Sequence, residues 1–220
     1  MKSRFFLYLL SIFIAIPVVA DSIDDLVRRD GIYYQKFTDV PFTGHIDEGL
    51  FIGKISNGQL NGVWYRYLEN GQLKSKGTYE DGLREGTWTE YSHQEDLLYR
   101  TESEYSKDKK NGIELIFKKN GSLYGRFNWR DGVRDGPAEW YDDQKNIVQT
   151  GFWTDGKIDK EWVFFTNGSI SKIEIYDKEE HIKGCYFDGS WHLYYYDKKI
   201  LGKKVVDEVK NFALDCRIEE

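Results

Sequence analysis

The chain has 220 residues, with 31 Lys or Arg against 37 Asp or Glu, and its formal net charge is −6 at pH 7. Because nucleic acids and anionic membrane surfaces attract basic proteins, this acidic balance argues against both as partners. Aromatic residues make up 16% of the chain, and 21 glycines accompany them. The composition therefore supplies rings for packing and residues for tight turns.

The first twenty residues are predicted to be a secretory signal peptide. Lys2 and Arg4 precede an apolar run from Phe5 to Val19, and Ala20 stands before the acidic Asp21. The run is shorter than the roughly 20 residues that a spanning helix needs, which favours cleavage over retention as an anchor. The processed chain is expected to be periplasmic or secreted, with no transmembrane anchor.

Residues 21–56 are interpreted as an N-terminal cap and entry segment. Ser22 followed by Asp25 is an N-cap pattern that is compatible with a short helix before Leu26. A cap is expected because an array of stacked units must cover the apolar surface of its first unit.

Residues 57–184 carry a periodic pattern. Glycines recur every 24 to 26 residues, and a lysine occupies the fifth periodic position. These positions are Gly62, Gly86, Gly112, Gly136 and Lys160. Aromatic residues follow two positions later in most steps and five positions later in all: Trp64, Trp88 and Trp162, then Tyr67, Tyr91, Phe117, Tyr141 and Phe165. Such a period is typical of stacked repeat proteins, whose functions are spread over surfaces.

Two turn signals divide each period into two strands. Pairs such as Asn57-Gly58, Asn70-Gly71 and Asp81-Gly82 tolerate the positive φ angles of tight hairpin turns. Each unit is therefore predicted to be a β-hairpin. The predicted fold is all-β, an elongated antiparallel meander of stacked β-hairpins.

Two units lack the first aromatic residue, with Glu114 and Ala138 in its place. Trp140 follows Ala138 by two residues. Because side chains alternate along a strand, Trp140 shares the face of Ala138, and we expect it to restore the lost ring.

Residues 185–220 are interpreted as a last degenerate repeat, containing Trp191, and a C-terminal cap. The apolar spacing between Lys204 and Leu214 is compatible with a short helix. Since disulfides persist in exported proteins, Cys185 and Cys216 are predicted to form one. A zinc site that also uses His181 is disfavoured because it lacks a convincing fourth ligand.

The unit Gly-x-Trp-x-x-Tyr-x-x-Asn-Gly-x-Leu, followed by Gly-x-Tyr-x-Asp-Gly, resembles the MORN-variant repeats of bacterial exported 24-residue repeat proteins. The resemblance covers about Gly31 to Tyr196, and the stretch from Gly31 to Gly44 is similar to the entry segment of that group. It implies a MORN-like stack of hairpins that serves as a scaffold or interaction surface. Cytoplasmic relatives carry the label YwqK-type antitoxin, which makes an antitoxin or immunity-type protein one alternative.

No catalytic motif accompanies the repeats, and the four histidines are scattered, so we expect neither an enzyme nor a bound cofactor or metal. The Asp-Gly pairs lack the neighbouring oxygen ligands that calcium requires, which favours turns over calcium sites.

The aromatic rows have two interpretations, packing between hairpins and exposed binding surface. The leading hypothesis is a noncatalytic exported scaffold that binds an unidentified protein, and the alternative is binding of a cell-envelope glycan such as peptidoglycan. The candidate binding residues are Trp64, Tyr67, Trp88, Tyr91, Trp140, Trp162 and Trp191.

Overall fold

A computed structural model describes residues 20–92, 98–187 and 191–195 of the chain. The rest of the predicted signal peptide, the predicted C-terminal helix and Cys216 lie outside the described residues, so processing and the disulfide stay predictions. Among the described residues there is no helix of the length and apolar character needed to cross a membrane.

Nearly all of the described chain is β-strand. The strands are β1 (Ala20–Ser22), β2 (Leu26–Arg29), β3 (Ile32–Gln35), β4 (Gly44–Glu48), β5 (Phe51–Ser56), β6 (Gln59–Tyr67), β7 (Leu73–Glu80), β8 (Leu83–Tyr91), β9 (Leu98–Ser106), β10 (Lys109–Lys118), β11 (Leu123–Arg130), β12 (Val133–Tyr141), β13 (Ile147–Thr154), β14 (Lys157–Thr166), β15 (Ser169–Asp177), β16 (Glu180–Phe187) and β17 (Trp191–Tyr195).

Fifteen of these strands form one sheet, and β2 with β3 forms a separate two-stranded sheet. From β4 to β17 each strand pairs with the next in the sequence, and the pairs are antiparallel, whereas β1 lies parallel to β4. This confirms the predicted all-β meander of consecutive hairpins. At the N-terminus, Ser22 and Asp25 form a capping box around one 3-10 turn, Ile23–Asp25, and the chain then enters β2 instead of continuing as a helix.

The hairpin turns follow two geometries. At Asn57-Gly58 and Asp81-Gly82 both residues have positive φ angles, as the tightest hairpin turns require. At Asn70-Gly71 only Gly71 is positive, and the Asn70 side chain accepts a hydrogen bond from the Gln72 backbone N–H at 3.0 Å. Asparagine thus acts through its backbone in the first type and through its side chain in the second.

The periodic glycines mark a recurring irregularity in the sheet. Gly62, Gly86, Gly112, Gly136 and Lys160 all have positive φ angles, between 60° and 123°. At each of them the register towards the preceding strand slips by two residues; Lys76, for example, faces Thr89, whereas Thr78 faces Glu85. The bulge explains why glycine recurs with the repeat, because residues other than glycine rarely adopt a positive φ angle.

The bulges also connect successive hairpins. In each case a backbone N–H at a turn donates to a carbonyl two residues before the bulge of the preceding unit. These bonds are Gly82 to Leu60 at 2.9 Å, Asp108 to Arg84 at 3.0 Å, Gly132 to Lys110 at 2.9 Å, Gly156 to Arg134 at 2.8 Å and Glu179 to Ile158 at 2.6 Å. Each hairpin is therefore tied to the next at its turn as well as along its strands.

One row of side chains crosses the sheet and forms its core. We call it the core row, and the face that carries it the front face. Its members, in spatial order, are Ile46, Gly53, Trp64, Gly77, Trp88, Ser103, Glu114, Phe127, Ala138, Gly151 and Trp162. All except the half-buried Gly53 are buried. Among the described residues most of the sheet has no second layer of strands, and this row supplies most of its buried side chains, with Ile55 and Tyr105 buried outside it.

Candidate binding surface

The first strands of the sheet carry a second layer, which is the N-terminal hairpin formed by β2 and β3. Buried residues of both layers meet in one cluster: Leu26, Phe42, Ile46, Ile55 and Trp64. Backbone bonds fix the hairpin in place, since the Tyr33 N–H donates to Gly58 at 2.8 Å and the Gly58 N–H donates to Phe42 at 2.7 Å. The hairpin therefore forms a rigid wall over one end of the front face.

A groove of about 710 Å³ lies between this wall and the front face. Its lining contains six aromatic residues, namely Tyr33, Phe51, Trp64, Tyr65, Tyr79 and Trp88. Tyr79 lies between the two tryptophans, with ring centroids 6.3 Å from Trp64 and 4.9 Å from Trp88. Burial raises the pKa of the Tyr79 phenol, although the nearby Arg84 opposes the shift, so this hydroxyl remains a neutral hydrogen-bonding group near pH 7.

Three arginines line the groove, and among the described residues only one of them has a carboxylate partner. Arg84 Nε donates to Asp108 Oδ1 at 2.5 Å, and its guanidinium lies 4.1 Å from the ring centroid of Tyr105. Burial alone would lower the pKa of Arg84, but the Asp108 hydrogen bond raises it. The groove therefore has one arginine that is fixed within the fold.

The other two arginines have aromatic neighbours instead. The guanidinium of Arg28 lies 5.5 Å from the Tyr33 centroid, and that of Arg66 lies 5.4 Å from the Phe51 centroid. Within the described part of the chain, no carboxylate lies within ion-pair distance of either one. Ring contacts position these cations and leave their donors available for an anionic group.

One acidic residue, Glu90, lies on the part of the sheet that forms the floor of the groove. Register places Arg66 opposite Ser75, and Ser75 opposite Glu90, so the three side chains follow one line across three strands. Because neighbouring strands lie about 4.8 Å apart, the Arg66 and Glu90 backbones are about 10 Å apart. The floor of the groove thus presents a cation and an anion on either side of a hydroxyl.

An exposed loop lies on the outer side of the N-terminal hairpin. We call residues 35–40 the Phe37 loop. The Phe37 side chain is 103% exposed, and its φ angle is 64°. Left-handed backbone is unfavourable for a bulky residue, and exposure forfeits the benefit of burying a ring. Folding alone does not account for a phenylalanine at this position.

The Phe37 loop is nevertheless held firmly. Arg29 donates to the Thr38 carbonyl at 2.6 Å and to Asp39 Oδ1 at 2.7 Å. The Thr38 hydroxyl donates to the Gln35 carbonyl at 3.1 Å, and the Thr38 N–H donates to the same oxygen at 3.2 Å. The exposed ring is therefore presented by an ordered turn.

Most of the predicted aromatic residues have packing roles. Trp64, Trp88 and Trp162 are 4%, 6% and 7% exposed, and each ring covers a glycine of the adjacent strand. Trp140 is half-buried on the front face, with its ring centroid 5.1 Å from Phe127 and 5.4 Å from Trp162. Burial of the three tryptophans leaves little of their rings for a ligand.

The remaining predicted residues occupy other places. Tyr67 and Tyr91 are half-buried, three residues after a core-row tryptophan and so on the opposite, back face. Trp191 begins β17 and pairs with Phe187, whereas Tyr194 pairs with Gly184 in line with the core row. The register therefore gives Tyr194 the position that the sequence pattern suggested for Trp191. A binding role for any of these aromatics stays a prediction.

Sequence reasoning missed the groove and the Phe37 loop. Their residues, Arg28, Phe37 and Arg66, do not recur with the period, and so the repeat pattern gave no reason to select them. One local signal was present: in Gln-Lys-Phe-Thr-Asp an aromatic residue stands inside a polar turn sequence.

The described residues contain no cluster of three or more His, Cys, Asp or Glu that could hold a metal ion. In comparisons with known proteins, no family model matches this chain, and no curated protein matches it either.

Proposed function

We propose that this chain is a noncatalytic, exported, MORN-like repeat protein that acts as a scaffold and binds another protein in the groove beneath its N-terminal hairpin. The observation that supports the proposal is the combination of aromatic rings with Arg28 and Arg66 in one open groove. Tyrosine, tryptophan and arginine are the residue types that most often dominate protein interfaces. An antitoxin or immunity-type interaction would be one form of this function.

Burial of Trp64 and Trp88 favours a protein over a glycan as the ligand. Sugar rings stack on exposed aromatic faces, and these two rings are 4% and 6% exposed. A polypeptide does not need an exposed ring face, because its side chains can contact ring edges while its carboxylates pair with Arg28 and Arg66.

Site-specific photocrosslinking in the native host tests the proposal. A photoreactive amino acid at Glu90, an exposed position in the groove, is compared with one at Val133, which is 42% exposed in a distant unit. We expect a discrete protein adduct from position 90 alone, and we expect Arg66→Glu to remove it. Identical adducts from both positions, or none from position 90, would overturn the proposal.

A further inference from the structure

We propose that Asn167 is a site of spontaneous modification, at which the asparagine converts to aspartate and isoaspartate. Asn167 and Gly168 form the turn between β14 and β15, several strands away from the groove, so the inference is independent of the proposed function. Asparagine is one of the thermolabile residues of proteins, and it reacts with the backbone nitrogen of the residue that follows it. Glycine, which has no side chain, hinders that nitrogen least.

The reaction consists of a ring closure and a hydrolysis. The Gly168 backbone nitrogen loses its proton to a solvent base and attacks Cγ of Asn167. The new C–N bond closes a five-membered succinimide, and the side-chain amide group leaves with a proton as ammonia. Water then opens the ring at one of its two carbonyls. One opening gives aspartate, and the other gives isoaspartate, whose backbone runs through Cβ and Cγ.

The structure separates the Asn-Gly pairs of the chain into groups. Two asparagines, Asn61 and Asn111, lie inside strands β6 and β10, which pair with a neighbour on each side. Ring closure rotates the backbone of the asparagine, so at these positions it must first break the ladder locally. The other four pairs are at turns, namely Asn57-Gly58, Asn70-Gly71, Asn120-Gly121 and Asn167-Gly168.

The turns at Asn70 and Asn120 engage both reacting groups. In each of them the glycine N–H donates to a carbonyl three residues earlier, and the asparagine side-chain oxygen accepts from the backbone N–H two residues later. The four bonds are Gly71 to Leu68 at 2.8 Å, Gln72 to Asn70 at 3.0 Å, Gly121 to Lys118 at 3.0 Å and Ser122 to Asn120 at 2.9 Å. Nucleophile and electrophile are therefore held apart in separate hydrogen bonds.

The turns at Asn57 and Asn167 form a matched comparison, because their backbones have the same conformation. The φ angles are 48° and 76° at Asn57-Gly58, and 52° and 79° at Asn167-Gly168. Gly58 is buried, and its N–H donates to the Phe42 carbonyl at 2.7 Å. Asn167 and Gly168 are both exposed, and no described residue accepts from the Gly168 N–H or bonds to the Asn167 side chain.

The cost of opening the turn also differs between the two. A tight turn must open before the ring can close, so the free energy of local opening enters the rate. Opening at Gly58 breaks its bond to Phe42 and the bond from the Tyr33 N–H to the Gly58 carbonyl at 2.8 Å. Among the described residues, opening at Gly168 disturbs the pair that closes its own hairpin, Thr166 with Ser169, and no bond to another segment. Asn167 is therefore the most accessible of the asparagines that precede glycine.

Peptide mapping of the purified chain by mass spectrometry, after incubation in mildly alkaline buffer, tests the inference. We expect Asn167 to convert at least tenfold faster than Asn57 in the folded chain, because hydrogen bonds to other segments protect Asn57. In denaturant those bonds are absent, and the two rates should agree within about twofold. Equal rates in the folded chain, or faster conversion at any other Asn-Gly pair, would overturn the inference.

One variant tests the cause of the difference. The Asn57 N–H donates to the Thr43 hydroxyl at 2.8 Å, and Thr43→Val removes this acceptor while keeping the shape of the side chain. We expect the conversion of Asn57 to rise several-fold, with Asn167 as the internal control that keeps its rate. An unchanged rate at Asn57 would mean that hydrogen bonding does not protect the turn, and the argument for Asn167 would fail.

A second variant assigns the product. Asn167→Asp carries the ordinary product from the start, and Asp-Gly already forms the same kind of turn at Asp81-Gly82, so the fold should be retained. The peptide that contains position 167 should then show no mass gain on incubation. A gain that persists in this variant would place the modification at another residue and contradict the assignment.

Discussion

Within the core row, the strands around Trp64, Trp88 and Trp162 differ from those around Glu114 and Ala138. In the first group a tryptophan covers a glycine of the preceding strand. In the second group the pairs are Ser103 with Glu114 and Phe127 with Ala138. Apart from the half-buried Gly53, every member of these pairs is buried despite these differences. In the Gly–Trp and Phe–Ala pairs one large residue faces one small residue, and either strand can carry the large one.

The Phe127 and Ala138 pair reverses the usual order, with the large residue on the first strand and the small one on the second. Phe127 is 2% exposed and Ala138 is 1% exposed. The predicted compensation by Trp140 is therefore only part of the account: Trp140 does lie on the front face beside Ala138, but Phe127 fills the space opposite.

The Ser103 and Glu114 pair replaces a ring with a buried carboxylate. Glu114 Oε1 accepts from Ser103 Oγ at 3.1 Å and from Lys110 Nζ, and Glu114 Oε2 accepts from Trp129 Nε1 at 3.0 Å. Three donors compensate the loss of water around the charge. Hydrogen bonds of Glu114 therefore stabilise the middle of the core row, whereas packed tryptophan rings stabilise the strands on either side.

The largest effect is expected for Trp88→Ala, which removes a buried indole above Gly77. We expect a loss of about 3 to 5 kcal/mol in the free energy of unfolding, because no neighbour can fill the space over a glycine. Denaturant unfolding followed by circular dichroism measures this. A loss below about 1 kcal/mol would mean that the ring is dispensable and that the packing argument is wrong.

The next effect tests whether the two kinds of pair are interchangeable. Phe127→Gly should cost about 3 to 4 kcal/mol through the cavity that it leaves. Adding Ala138→Trp to that variant rebuilds a tryptophan-over-glycine pair, and we expect at least half of the loss to be recovered. Ala138→Trp alone should destabilise the chain by overpacking against Phe127. Additive losses in the double variant would contradict the interchangeability.

A smaller loss of stability is expected when Glu114, the buried carboxylate of the core row, is changed. Glu114→Gln keeps the shape but removes the charge that Lys110 meets, and we expect a loss of about 1 to 3 kcal/mol in the free energy of unfolding. Glu90→Gln, at an exposed position, is the matched control and should stay within about 0.5 kcal/mol of the parent chain. Similar values for both variants would show that the buried network adds nothing.

The tryptophans themselves differ in one hydrogen bond. Trp88 Nε1 donates to the Thr78 carbonyl at 3.0 Å, whereas Trp162 Nε1 is buried without a hydrogen-bond partner in the described structure. Trp88→Phe should therefore cost about 1 kcal/mol more than Trp162→Phe in chemical denaturation. Equal costs would mean that the indole bond contributes nothing to stability.

The smallest effect concerns Lys160, which stands where the other four periodic bulges have glycine. Lys160 has a φ angle of 60°, and Lys160→Gly should relieve strain and raise stability by less than about 1 kcal/mol, partly offset by the loss of its contact over the Phe152 ring. Gly86→Ala should lower stability by about 1 kcal/mol at the equivalent bulge. Thermal unfolding of both variants measures the two changes in stability. A lower stability for Lys160→Gly together with a higher one for Gly86→Ala would refute the strain argument.

Much of the fold could be predicted because its causes are local. The turn pairs and the alternation of residues predicted the hairpins, and a meander needs only that each hairpin pair with the next. The glycine period was recognised, but its reason was not: the two-residue bulge at Gly86 depends on which residues of β7 and β8 face each other. Register of this kind is a relation between strands, and a single-strand pattern does not contain it.

The groove was not predicted from the sequence, for a related reason. The periodic tryptophans were the most conspicuous candidates, and the structure buries Trp64 and Trp88. Arg66 and Arg28 face one groove because the N-terminal hairpin folds over the sheet, and the two lie 38 residues apart with no shared pattern.

The sequence by itself determined the all-β hairpin architecture, because the turn residues and the alternating apolar positions act within a few residues of one another. Tertiary structure alone decided which aromatic residues are buried, since Trp64, Trp88 and Trp162 each pack over a glycine of a neighbouring strand. It also created the groove, because the N-terminal hairpin packs over the first strands of the sheet, and it left Phe37 in solvent.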